Sequence, residues 1–257
     1  MALFIKYYYK ILLILYFLIV INIAIACDST VLALIAGENL NANTVAKFLT
    51  ISEQLEKEGE MLNAYDVASA KLTHKEIMKN WLKLVVDLGS APMVPEEYKN
   101  EFSSYLPEIA KDLGRVRKKL ENDNLENIHE IIEGCVTKIS ILGAQINNKK
   151  DIYKFLKLEL LVYKPGMYLD DLDTFLTREE FINLENALNN HKNNFSIKAN
   201  ELANNLLMIL KNHIKTVEEI KNKNINFEKI FVSYNDLKNS FVKMKQQLLD
   251  EGYFNNA

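Results

Sequence analysis

Apolar residues recur every three or four positions along most of the chain beyond residue 43. This spacing places apolar side chains on one face of an α-helix, whereas a half-buried β-strand requires alternation of apolar and polar residues. Only 8 glycines and 4 prolines interrupt the pattern in 257 residues. The sequence therefore predicts an all-α fold, an elongated helical bundle.

The predicted helices differ in the regularity of their apolar stripes. They cover residues 45–61, 73–88, 95–120, 125–146, 151–163, 178–220 and 227–248. Pro95 and Pro107 leave open whether the third segment is one kinked helix or two helices. The last segment is the most regular, because its apolar residues alternate strictly between spacings of three and four from Phe227 to Leu248.

Polar motifs mark several of the predicted helix ends. Thr73 with Glu76, and Thr177 with Glu180, have the spacing of a capping box, in which both side chains satisfy free amides at a helix start. The run 122–124, Asn-Asp-Asn, predicts a tight turn, since these residues tolerate turn geometry and cap the following helix.

The pattern also predicts how the chain is organised. We expect a signal peptide at 1–26, a tether at 27–42, a first helical unit at 43–149, and a second helical unit with a long heptad hairpin at 150–257. Trp81-Leu82-Lys83-Leu84 is echoed by Phe155-Leu156-Lys157-Leu158, which is a weak internal repeat. The bundle is therefore expected to be either one elongated body or two tandem helical hairpin units.

The first 26 residues have the organisation of a secretory signal. Lys6 and Lys10 precede an almost wholly apolar stretch at 11–25, which ends in small residues. A stretch of about 15 apolar residues is short for a membrane-spanning helix, which needs about 20. The mature chain is therefore predicted to leave the cytoplasm.

Ala24-Ile25-Ala26-Cys27 resembles the lipobox of bacterial lipoprotein precursors, although Leu is the commonest residue at the position of Ala24. The resemblance implies that Cys27 is acylated on its sulfur and becomes the first mature residue. Its lipid chains, palmitate or similar, would hold the protein at a membrane of the bacterial cell envelope without a spanning helix. An ordinary signal peptide cut after Ala26, or an uncleaved N-terminal anchor, are the alternatives.

Charge and cysteine content narrow the class of protein further. Removal of residues 1–26 takes away two lysines and no acid, so the net charge falls from −3 to −5. A slightly acidic chain without a basic run is not expected to bind nucleic acid. Cys27 and Cys135 are the only cysteines, so no disulfide framework is predicted. Cys135 lies on the apolar stripe of segment 125–146 and is expected to be buried.

Candidate catalytic chemistry is sparse. The chain has no glycine-rich phosphate loop, nucleophile elbow or Cys-x-x-Cys-His motif, so no enzyme activity and no resident cofactor are predicted. His74 and Met78, four residues apart, together with His129, are the candidates for a haem or metal site within a bundle. The simpler interpretation leaves His74 and His129 exposed in first turns and Met78 filling the core.

These observations predict an envelope-anchored helical lipoprotein that binds or scaffolds a partner without catalysis. The anchor would be the lipid on Cys27, on the periplasmic or the surface-exposed side of the envelope. The expected partner is a protein or an envelope polymer, which loops and polar helix faces would contact. A haem-binding or metal-binding bundle, and an accessory subunit whose heptad stripe is completed by another chain, are the alternatives.

Overall fold

The computed structural model describes residues 31–32, 42–88, 94–168, 178–221 and 227–255. The predicted signal peptide and Cys27 lie outside the described residues. Over the described ranges, the chain forms α-helices and short 3₁₀ turns without a strand, which confirms the predicted all-α helical bundle. The long helices are α1 (Ala42–Asn63), α2 (Val67–Leu88), α3 (Lys99–Glu121), α4 (Ile128–Ile146), α5 (Lys150–Tyr163), α6 (Arg178–His191), α7 (Ile197–Lys221) and α8 (Phe227–Asp250).

Helix α2 begins six residues earlier than its predicted capping box. Asp66 caps the helix instead, because its carboxylate accepts a hydrogen bond from the Ser69 amide at 3.1 Å. Tyr65, in the preceding turn, has a left-handed φ of 59°. The capping box at Thr73 was therefore wrong: Thr73 lies inside α2, and its hydroxyl contacts the Met61 sulfur at 3.5 Å.

The third predicted segment, left open as one kinked helix or two helices, contains a single helix, α3, with Pro107 inside it. A short 3₁₀ turn, Glu96–Tyr98, precedes α3. The predicted turn after α3 is confirmed, since the helix ends at Glu121 and Asp123 adopts a left-handed φ of 50°.

The long helix predicted over 178–220 was wrong, because the chain breaks into α6, a 3₁₀ turn at Lys192–Asn194 and α7. Ser196 provides the signal for the break: its hydroxyl accepts a hydrogen bond from the Ala199 amide at 3.1 Å and caps α7. The capping box predicted at Thr177 falls outside the described residues.

Helix α4 is the centre of the bundle. Of its 19 residues, 17 are buried, so it packs on all sides rather than along one stripe. Helices α1, α3 and α5 surround it. Small residues such as Gly134 and Ala144 allow this close packing on the faces that the heptad pattern leaves out. The predicted burial of Cys135 on this helix is confirmed.

The charged residues of α4 are buried together with partners of opposite charge. Lys138 donates to Asp112 of α3 at 2.8 Å, and Lys238 of α8 donates to Glu133 at 2.8 Å. Burial disfavours each charge, but the pKa of Lys138 is nevertheless raised, since the Asp112 carboxylate outweighs burial. Removing one partner from such a buried pair would leave an uncompensated charge in the core.

The chain before α1 contacts the same core. Val31 and Leu32 are helical and almost completely buried. A Cβ atom on Gly143 of α4 would lie 2.6 Å from the Leu32 Cδ1 atom, so a larger residue at this position would force the Leu32 side chain to shift. The segment predicted to be a tether, residues 27–42, is therefore held to the core at these two positions.

The C-terminal hairpin packs against α5. The Tyr234 hydroxyl of α8 donates to the Val162 carbonyl at 3.0 Å and accepts from the Gly166 amide at 3.1 Å. The rings of Phe155 and Phe241 stack with centroids 5.6 Å apart. The regular stripe of α8 is thus buried as predicted from Ile230 to Leu248, and the left-handed φ of 67° at Gly252 follows the end of the helix.

Candidate binding cleft

A cleft of about 340 Å³ lies between α3 and α5. One wall belongs to α3 and consists of Glu101, Ser104, Tyr105 and Glu108. These positions follow i, i+3, i+4 and i+7 spacing, which places all four side chains on one face of the helix. The α3 wall therefore carries two carboxylates.

The opposite wall has the same spacing and the opposite charge. It consists of Lys157, Leu160 and Leu161 of α5 and of Lys164, the residue that follows the end of this helix. Lys138 of α4 lies at the floor, and Met167 with Tyr168 closes one side. An acidic helix face thus lies opposite a basic one, with apolar and aromatic side chains between the charges.

The α3 and α5 walls are bonded to each other at the Glu101 position. Lys157 donates to the Glu101 carboxylate and to the Tyr105 hydroxyl, the latter at 3.0 Å. The Tyr153 hydroxyl and, at 2.9 Å, the Gln145 amide also donate to Glu101. Burial by itself raises the pKa of Glu101, but the hydrogen bonds from Lys157 and Tyr153 outweigh burial and lower it. This end of the cleft is therefore a fixed, ionised network.

The other end has charges that face solvent. Glu108 and Lys164 are half-exposed, and each has an ion-pair contact: Glu108 with Lys138 at the cleft floor at 3.1 Å, and Lys164 with Glu180 of α6 at 2.6 Å. The Lys164–Glu180 pair is partly exposed and therefore weak, because water screens it, and Glu108 is the exposed partner of a lysine that Asp112 already neutralises. These two side chains are therefore able to exchange their present partners for a ligand.

The side of the cleft at Met167 and Tyr168 is held in place by Arg115. Its guanidinium donates to the Met167 carbonyl at 2.5 Å and lies over the Tyr168 ring, 4.9 Å from the centroid. The floor is equally fixed, since Lys138 is paired with buried Asp112. The Asp112 carboxylate raises the pKa of Lys138, and a charged lysine is a poor nucleophile.

The structure places His74 in the core. It is only 2% exposed and lies well inside α2, so the expectation of an exposed first-turn position was wrong. Its Nδ1 lies 3.0 Å from a Glu58 carboxylate oxygen, and its Nε2 donates to the Leu113 carbonyl at 3.0 Å. Both ring nitrogens therefore take part in buried hydrogen bonds, and a metal or haem iron at His74 would have to break at least one of them.

His129 and Met78 lie in other surroundings. The His129 ring is mostly buried at the start of α4, where Nδ1 lies 3.5 Å from Glu133 and Nε2 lies 3.5 Å from the Asn63 amide. Met78 is partly buried and packs against the hydrophobic core from α2. The polar contacts of His74 and His129 thus lead to different partners and do not join them into one site.

The cleft was not predicted from the sequence, although the charges of its two walls are visible there. Glu101 to Glu108 and Lys157 to Lys164 are two segments with matching spacing and opposite charge. Each looks like an ordinary solvated helix face by itself. Only the packing of α3 and α5 on α4 brings the two faces together.

Within the five described ranges, no group of three or more His, Cys, Asp or Glu side chains is placed to hold a metal ion. None of the helices in this part of the chain combines the length and the apolar character that crossing a membrane requires. Comparisons with protein-family models, curated proteins and solved structures gave no match.

Proposed function

We propose that this chain is a non-enzymatic binding protein, anchored to a bacterial envelope membrane through lipid on Cys27, and that its cleft binds a small zwitterionic ligand. The anchor is supported by the sequence Ala24-Ile25-Ala26-Cys27 after a signal-like segment. Binding is supported by one observation above all, the acidic and basic walls that face each other across the cleft.

The ligand class follows from the charges at the open end. A ligand ammonium group fits the Glu108 carboxylate, and a ligand carboxylate fits the Lys164 amine. Leu160, Leu161 and Tyr168 offer apolar and aromatic surface between these charges. A free amino acid or a short peptide has both charges at its ends and a side chain between them. The cleft volume of about 340 Å³ falls in the range of about 300–1,000 Å³ that is usual for small-ligand pockets.

The surroundings of the cleft favour binding without a large rearrangement. Lys138 is fixed by Asp112, and Glu101 is fixed by Lys157 and Tyr153. Side chains that are already ordered lose little conformational entropy when a ligand arrives. The ligand then has only to displace water and the ion-pair contacts of Glu108 and Lys164.

The experiment is a titration of the full chain, purified from bacterial membranes, with the common amino acids and a panel of dipeptides. Binding is measured by thermal shift and by calorimetry. We expect at least one zwitterion to raise the unfolding temperature. Glu108→Gln and Lys164→Gln should each weaken that ligand about tenfold, since a charge-assisted hydrogen bond contributes about 1.5 kcal/mol.

Lys111→Gln is the matched control, because Lys111 is an exposed charge on α3 that does not line the cleft. It should bind the ligand as tightly as the wild type. The proposal is contradicted if no zwitterion binds, or if the control and the two cleft variants lose affinity equally.

A further inference from the structure

Helix α2 carries an apolar surface on the side away from the core. Leu72, Leu82 and Val86 are 66%, 62% and 75% exposed. The buried residues of α2, among them Ile77 and Trp81, lie on the opposite side of the helix. Three large apolar side chains at such exposure on one helix face are unusual for a face that remains in water.

Three exposed lysines share this face. At about 100° per residue, Leu72, Leu82 and Val86 fall with Lys75, Lys79 and Lys83 within an arc of about 100°. Within this outward face of α2 there is no carboxylate; Glu76 lies just beyond its edge. Basic side chains mixed with leucine and valine fit a surface that is both apolar and negatively charged.

The outward face of α2 lies near the point where the N-terminal segment joins the body. Lys47, near the start of α1, contacts Asp87 at 2.6 Å, which places the C-terminal end of α2 beside that start. Val45, close by on α1, and Leu32 both approach Gly143 of α4. The buried pair Val31 and Leu32 therefore lies at the same end of the bundle as Val86.

Chain length connects this end of the bundle to the proposed anchor. Cys27 precedes Val31 by four residues, and four residues span at most about 14 Å. Lipid on Cys27 would thus hold this end of the body close to the membrane. A free face on a long tether would have no such constraint.

We propose that the outward face of α2 docks on an anionic phospholipid surface. Leu82 and Val86 enter the interface, and Lys75, Lys79 and Lys83 contact the lipid phosphates. The inference rests on the proposed anchor at Cys27, and it adds a defined orientation: α2 lies on the membrane, and α7 does not. Two contacts, the lipid anchor and a basic apolar face, hold a protein at a membrane more stably than one.

The test uses the full chain with Leu82→Cys, purified from bacterial membranes, labelled with an environment-sensitive fluorophore and reconstituted in vesicles. Met208→Cys is the matched control, because Met208 is an exposed apolar residue on α7. Buried Cys135 is shielded from the label. The vesicles contain phosphatidylcholine with or without phosphatidylglycerol, and a lipid-embedded quencher reports depth.

We expect the label at position 82 to shift to the blue and to be quenched on vesicles with phosphatidylglycerol, and the label at 208 to stay in water. Combined Lys75→Glu, Lys79→Glu and Lys83→Glu substitutions should abolish the difference. A water-exposed label at 82 on these vesicles, or equal quenching at 82 and 208, overturns the proposal. A label at position 82 that is shielded from water only in intact cells also overturns the proposal, since that result identifies a protein as the occupant.

The intact mass of the same preparation separates this proposal from the proposed function. An acylated Cys27 with an exposed label at 82 refutes docking and leaves the anchor intact. An unmodified Cys27 refutes the anchor. Because its free thiol would also take the label, both labelled variants then carry Cys27→Ser, and their fluorescence on vesicles shows whether the outward face of α2 binds anionic lipid by itself.

Discussion

The buried pair of Glu58 and His74 makes a sharp prediction about stability. The two side chains are 0% and 2% exposed. The His74 Nδ1 lies 3.0 Å from a Glu58 carboxylate oxygen, and the His74 Nε2 donates to the Leu113 carbonyl. Burial raises the pKa of the Glu58 carboxyl, and the hydrogen bond and charge of His74 oppose this effect.

Substitution of His74→Leu removes the partner of Glu58. The buried carboxyl then stays protonated in the folded state, while it ionises near its ordinary pKa of 4.5 in the unfolded state. Each pH unit above that value destabilises the variant by about 1.4 kcal/mol, so the loss at pH 7 is about 3 kcal/mol. The loss should shrink to about 1 kcal/mol at pH 5, since pH 5 lies only half a unit above the ordinary pKa of the unfolded carboxyl.

Urea denaturation followed by circular dichroism at several pH values measures this loss. The double variant Glu58→Met with His74→Leu should lie within about 1 kcal/mol of the wild type at all pH values, because a buried pair replaced by apolar side chains of similar size is close to neutral. His129→Leu is the control, since Glu133 keeps Lys238 as a partner. A loss for His74→Leu that is independent of pH, or a double variant as unstable as the single one, would refute the reasoning.

Three further predictions concern single residues. Gly134→Ala should destabilise the fold by about 1–3 kcal/mol, because the added Cβ would lie 2.2 Å from the Met167 sulfur. Gly114→Ala meets open space and should stabilise α3 by about 0.5–1 kcal/mol, and the urea midpoints of the two variants compare these effects. Cys135 should react with a thiol reagent only as fast as the protein unfolds, since burial raises its pKa and hides the sulfur; fast native labelling would contradict this. Burial lowers the pKa of His213 to about 4, so as the pH falls the unfolded state binds the proton before the folded state does, and the free energy of unfolding falls by roughly 3 kcal/mol between pH 6.5 and 4. The His213→Leu variant should lose this part of the acid sensitivity, which a pH titration of the urea midpoint measures.

The apolar pattern of the sequence was sufficient for the fold class and for most helices. The stripe of α8 and the turn at 122–124 were predicted correctly, because a strict three-four alternation and an Asn-Asp-Asn run have few structural alternatives. The break between α6 and α7 was missed, since the apolar spacing continues through it and only the Ser196 cap marks the new start.

The burial of nearly all of α4 could not be predicted from the apolar pattern either. A helix with Glu133 and Lys138 looks half-solvated until Lys238 and Asp112 are known to neutralise those charges. Lys238 belongs to α8 and Asp112 to α3, so each partner is distant in sequence from the α4 charge that it neutralises. The cleft was not predicted for the same reason, because its acidic and basic walls form one site only when α3 and α5 face each other.

Native mass spectrometry of the chain purified from bacterial membranes tests the lipid anchor on Cys27 and the zwitterion in the cleft together, because one spectrum reports both. We expect a polypeptide that begins at Cys27, carries acyl lipid, and gains the mass of one added zwitterion. The Lys164→Gln variant should not retain this added mass. A chain without lipid on Cys27 that also binds no zwitterion would contradict the account.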